Sequence, residues 1–170
     1  NQNHEFLEGN VPYTMNPGGP NHEELASLIG IYEYFMSLYE HHFNDLNLSA
    51  REKINKINLI ISDHEELIAN PVLNLISKKE NLILIGKKII SKKNRSPTIS
   101  FLSKEKKSKE ISNIFTNNKI ATRNDNFYAW RCLKSLGIDT DDGVVRLSMT
   151  HYNNEDETKK ILNVLEKIIS

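Results

Sequence analysis

The feature that most constrains the fold is a change of hydrophobic period after Lys79. Up to that point apolar residues recur at helical spacing, and beyond it short apolar runs alternate with helices. "NLILIG" at 81–86 reads as one strand and "SPTISFLS" at 96–103 as a second, with Thr98 and Ser100 opposite Ile99 and Phe101. A helix is expected over about 105–118, with Ile111, Ile114 and Phe115 inward. "KIAT" at 119–122 is a short strand, "FYAWRCLKSL" a short helix or turn ending at Gly137, and "VVRLSMT" at 144–150 the last strand. The final helix starts at Asn153 or Asn154, with Asp156 and Glu157 suited to its first turn. Residues 79–170 therefore predict a small α/β sandwich domain, with helices on one face of its sheet.

Residues 1–78 predict loop and helix only. "NPGGP" at 16–20 excludes regular structure, because two prolines bracket two glycines. Asn21 can cap a helix in which Leu25, Leu28, Ile29, Tyr32, Phe35, Met36 and Tyr39 share a face read as core. "SARE" at 49–52 is a capping-box pattern that opens a long helix, with Ile54, Ile57, Ile61 and Ile68 on its stripe and His64 on the same face. Asn70-Pro71 is expected to break that helix and restart a short one. Two amphipathic helices behind a Gly-Pro-rich stretch make a poor domain and predict a partner for their apolar faces.

Composition narrows the function classes. The 22 basic and 22 acidic residues balance, so no global field draws the chain to nucleic acid or membrane. The charge is uneven, however. Residues 1–50 hold seven Asp or Glu and no Lys or Arg, whereas residues 78–109 hold ten Lys and Arg95 against two Glu. This basic stretch is read as a solvated face, since nucleic-acid sites interleave aromatics and only Phe101 is present. The single cysteine, Cys132, excludes an internal disulfide and fits a reducing, cytoplasmic compartment. No apolar run reaches membrane-spanning length. Absent too are the nucleophile-elbow, P-loop, CxxC and HExxH patterns. The His41–His42 pair suits a helix C-terminus and has no third ligand at metal spacing.

Two candidates for binding chemistry remain. Alternation along 143–150 puts Val145, Leu147 and Met149 on one face and Val144, Arg146, Ser148 and Thr150 on the other. Arg146 is either a surface arginine or a clamp whose guanidinium takes a carboxylate in a bidentate fork. Gly18 and Gly19 form either a tight turn or a close approach to a phosphate at the following helix start.

"PGGPNHE", "RSPTISF", "ATRNDNFYAWRCLKSLG" and "GVVRLSMTHYNNEDE" occur in an order that resembles the C-terminal part of class V aminotransferase-like enzymes, in particular their cysteine-desulfurase-like branch. The resemblance covers nearly all of this chain. It implies the C-terminal segment of a fold-type-I enzyme dependent on pyridoxal 5'-phosphate, working as a homodimer on an amino acid, with no nucleic-acid or membrane partner. Residues 1–78 would be the end of the large cofactor domain with its long connecting helices, and 79–170 the small domain. Arg146, Tyr152 and Asn153 stand at the positions of the substrate-carboxylate site. "GGPN" at 18–21 looks like a Gly-Thr-Pro-Asn turn that reaches the cofactor phosphate of the neighbouring subunit, with Gly19 in place of the threonine. Arg123–Ala129 matches an R-x-G-x-x-C-A loop, but Tyr128 occupies the cysteine position. Cys132, four residues on, is expected to be a small core residue.

The Schiff-base lysine of the family precedes the Gly-Thr-Pro-Asn turn, whereas the first lysine here is Lys53. The chain alone is therefore expected to be inactive. The rival reading is a free-standing α/β binding module that uses its lysine-rich face on an anionic partner.

Overall fold

The computed structural model describes residues 20–45, 47–91 and 94–169. Two compact units divide the chain, Asn1–Ile57 and Asn58–Ser170. This division falls inside a helix, while the change of sequence period at Lys79 marks the passage from that helix to the sheet.

In the first unit, α1 spans His22–His42. Its start is fixed as its sequence predicts, because Asn21 Oδ1 accepts a hydrogen bond from the Glu24 amide at 3.1 Å. The apolar face read as core differs from expectation. Leu25, Leu28, Ile29 and Tyr32 are exposed, and within α1 only Tyr39 is buried. Tyr39 stacks on Phe43 with ring centroids 5.0 Å apart, and its hydroxyl donates to the Asp45 carbonyl at 2.7 Å. The period detects an amphipathic helix but carries no information on whether anything covers its stripe.

α2 spans Ala50–Lys78. The capping box forms: the Ser49 amide donates to Glu52 Oε2 at 2.9 Å, while the Glu52 amide faces Ser49 Oγ at 3.4 Å. The expected break at Asn70-Pro71 does not occur, and Pro71 lies inside the continuous helix. Ile68, Ala69, Val72, Leu73 and Ile76 are buried on both sides of it, while Pro71 itself is exposed. The ring sits on the solvent side, where helices bend away most easily. Asn70 is used elsewhere: its side-chain amide pairs with both backbone groups of Ile90, at 2.8 and 3.1 Å.

The second unit is built on a four-stranded antiparallel sheet, in the order β1 (Leu82–Ile85), β2 (Thr98–Ser103), β4 (Val144–Ser148), β3 (Arg123–Asp125). Three shorter helices complete it: α3 (Ser108–Asn117), α4 (Trp130–Ser135) and α5 (Glu155–Ile169). Ile99 and Phe101 of β2 register against Leu147 and Val145 of β4. These four meet Ile111 and Phe115 of α3, Val164, Leu165 and Ile168 of α5, and the buried residues of the C-terminal half of α2 in one core. Edge strand β1 turns Leu82 inward and leaves Ile83 exposed.

Two boundaries shift from their expected places. α3 begins at Ser108 rather than near 105, because the Ser108 amide is held by Asp142 Oδ1 at 3.0 Å. The third strand begins at Arg123 rather than over 119–122. The Ile120 amide returns to the Phe115 carbonyl at 3.0 Å, so Lys119 and Ile120 still close α3.

Candidate functional site

β4 delivers Arg146 to the sheet face opposite the core. Alternation does this: Val145, Leu147 and Met149 are buried, whereas Arg146 is half-buried and Ser148 exposed. Val144 departs from the expected polar face and is also buried. The ladder places Ser100 on one side of Arg146 and Arg123 on the other, each directly opposite. Arg123 and Arg146 share, with Ala121, Thr122 and Ser148, the lining of an open cleft of about 200 Å³. Neither guanidinium has an acidic partner within salt-bridge distance among the described residues.

The loop after β3 covers Arg146. The Phe127 ring lies over the guanidinium, with 4.0 Å from ring centroid to Cζ. Phe127 and Tyr128 both adopt left-handed backbone, at φ 53° and 60°. For non-glycine residues this costs on the order of 1–3 kcal/mol each. Asn126 holds the turn, since its Oδ1 accepts from the Tyr128 amide at 3.0 Å and its side-chain nitrogen donates to the Thr140 carbonyl at 3.2 Å. Gly143, at φ 69°, packs so closely on the Asp125 backbone that any Cβ would overlap it. From α3, Ser112 Oγ meets Thr122 Oγ1 at 2.9 Å, and Asn124 donates to Ser108 Oγ at 3.2 Å. These contacts fix β3, and with it Arg123, against β4.

The other expected site residues divide. Gly18 and Gly19 lie outside the described residues. Tyr152 is exposed and lines a second cleft of about 340 Å³, which shares Ala121 and Ser148 with the first. Asn153 is committed to structure. Its Oδ1 accepts from the Thr150 amide at 2.8 Å, its amide donates to Glu157 at 3.1 Å, and its carbonyl meets His64 Nε2 at 2.7 Å. That last contact makes His64 a satisfied structural histidine. Cys132 corrects its expected place in the core: it is exposed, because six-residue α4 buries only Leu133. Arg123 and Phe127 were missed as site residues. The cross-strand register that joins Arg123 to Arg146 depends on turn geometry that no local pattern specifies.

No group of three histidine, cysteine or acidic side chains is arranged to hold a metal ion among the described residues, and no described helix is long and apolar enough to cross a membrane. The lysine-rich stretch is spread over separate contacts. Lys79 meets Glu166 at 3.5 Å, Lys107 meets Asp139 at 3.8 Å, and Lys106 donates to the Ile168 carbonyl at 3.0 Å. As a chemical device the Arg123–Arg146 cleft offers guanidinium and hydroxyl donors and no amine, so it suits a small carboxylate. It does not suit covalent capture of pyridoxal 5'-phosphate.

No family model matches the chain. The aminotransferase-like protein FGM3 of Gibberella zeae is 27% identical over 110 residues, which cover 64% of this chain and 27% of that protein. The apo cysteine desulfurase of Thermococcus onnurineus NA1 superposes with a TM-score of 0.57 at 22% identity, covering 71% of this chain and 30% of that one. Cysteine desulfurase CsdA of Escherichia coli gives a TM-score of 0.52 at 16% identity, over 62% and 24% of the two chains. The NifS-like protein of Rickettsia africae ESF-5 gives 0.52 at 14% identity, over 70% and 31%. The chain thus spans less than a third of each relative's length. The antiparallel β1-β2-β4-β3 sheet backed by helices therefore has the fold of the C-terminal part of cysteine desulfurases of fold type I.

Proposed function

We propose that this chain is the C-terminal portion of a pyridoxal-phosphate-dependent, class V aminotransferase-like or cysteine-desulfurase-like enzyme, and that Arg146 holds the carboxylate of its amino-acid substrate. The supporting observation is Arg146 itself, half-buried on the open face of a rigid strand, stacked under Phe127 and without an acidic partner among the described residues. A guanidinium whose flat face is taken by an aromatic ring keeps its edge N–H donors free, and those donors match a carboxylate fork. In the complete enzyme, 79–170 would be the small domain closing over the substrate and 1–78 would continue a large cofactor domain. The cofactor would act as electron sink there. The Gly18–Gly19 turn would offer backbone N–H groups to the partner subunit's cofactor phosphate, so the homodimer would share its sites.

Tyr128 at the loop tip disfavours sulfur transfer through this loop, since a phenol cannot form a persulfide. The test is an NMR titration of the chain with alanine and with alaninamide. Alanine should shift resonances around β4 and the amide should not, because only the former carries the carboxylate. Arg146→Ala should abolish the shift and Arg146→Lys should restore it in part. Equal response to acid and amide, or an unchanged response in Arg146→Ala, overturns the assignment.

A further inference from the structure

We infer that the Arg123–Arg146 pair selects a ligand with two acid groups, an amino acid whose side chain ends in a second carboxylate. This rests on the carboxylate-binding reading of Arg146 and adds the substrate class. The two arginines are directly opposed on neighbouring antiparallel strands, a placement that sets Cβ atoms about 5 Å apart and is destabilising for like charges. No described carboxylate lies within ion-pair distance of either guanidinium. Asp125, the acid on the same strand as Arg123, is turned to the Asn126 amide at 2.6 Å. The repulsion is therefore left standing in the structure, and a ligand with two negative groups removes it.

The surroundings fit that ligand. Ser148 contributes a hydroxyl beside the two guanidiniums, that of Thr122 being engaged with Ser112, and the cleft of about 200 Å³ has room for a small molecule only. Phe127 lies over the Arg146 guanidinium, whereas the Arg123 side chain is exposed and within reach of a second acid group in the same cleft. A monocarboxylate would satisfy Arg146 and leave Arg123 unpaired.

The experiment is calorimetric titration of the chain with alanine, aspartate, glutamate and inorganic phosphate, repeated on Arg123→Gln. Aspartate or glutamate should bind at least tenfold tighter than alanine. Arg123→Gln should bring that ratio close to one, because the amino dicarboxylates lose far more affinity than alanine does. The same variant should melt no lower than the parent chain, because it removes a like-charge neighbour; a fall of several degrees would mark Arg123 as a structural residue and overturn the inference. Equal affinity for alanine and both amino dicarboxylates overturns the inference and leaves the carboxylate role of Arg146 intact. Phosphate binding as tightly as the dicarboxylates, and competing with them, overturns the amino-acid assignment in favour of a general dianion site. No binding by any amino acid overturns both readings.

Discussion

Arg146 and Gly143 lie three residues apart and answer to different forces. Arg146 is on the open face, so Arg146→Ala should change stability by no more than about 0.5 kcal/mol, read as the denaturant midpoint, while removing ligand response. Gly143→Ala should cost several kcal/mol, on the order of 1–3 for the left-handed backbone and more for overlap with Asp125. Its measured outcome is a collapsed melting transition, and the register of β3 against β4 goes with it. Cys132→Ser should be neutral within about 0.5 kcal/mol, as the thiol is exposed. Glu65 gives a pH signature. Burial raises its carboxyl above the ordinary value, against the opposing pull of His151 and His64. The folded state thus disfavours the charged form, and stability present below about pH 4 is lost as pH rises through the raised value. Glu65→Gln should therefore flatten the fall in melting temperature as pH rises above about 4, and a parallel curve would refute the burial argument.

Among the elements, α5 carries the clearest start signal. The Glu157 amide donates to Asn154 Oδ1 at 2.9 Å, and the Asn154 amide donates back to Glu157 Oε2 at 3.0 Å. Asn154→Ala should cost about 1 kcal/mol, measured by chemical denaturation, and Asn154→Asp should retain most of it. Such caps were legible in the sequence because donor and acceptor lie three residues apart. So were β1, β2 and β4 and the inward residues of β2, whereas the strand expected over 119–122 forms at Arg123–Asp125 and Val144 breaks the alternation of β4. Pro71 misled because its helix-breaking tendency of about 3 kcal/mol is local, while the burial of Ile68, Val72, Leu73 and Ile76 around it is tertiary. Arg146 could be placed on a face from its own strand. Arg123 could not be placed beside it, since pairing across 23 residues is decided by the β3–β4 register and by Gly143.

At the scale of the whole molecule, the chain should not form a covalent adduct with pyridoxal 5'-phosphate. No lysine lines the Arg123–Arg146 cleft, and the segment before Lys53 contains none. Borohydride reduction followed by peptide mass analysis should show scattered surface labelling, and one stoichiometric lysine would contradict the proposed division of labour. The resemblance in the sequence and the superposition agree on the architecture because both sample the same strand–loop–helix order. β1 has a further consequence, for handling rather than chemistry. Among the described residues it is an unpaired edge with Ile83 exposed, and the chain that follows it carries Lys87, Lys88 and an exposed Ile89. Main-chain groups along such an edge template intermolecular strand addition, and nearby lysines oppose it by charge repulsion. Salt screens that repulsion, so the protein should remain dispersed at low ionic strength and form β-rich aggregates as salt rises.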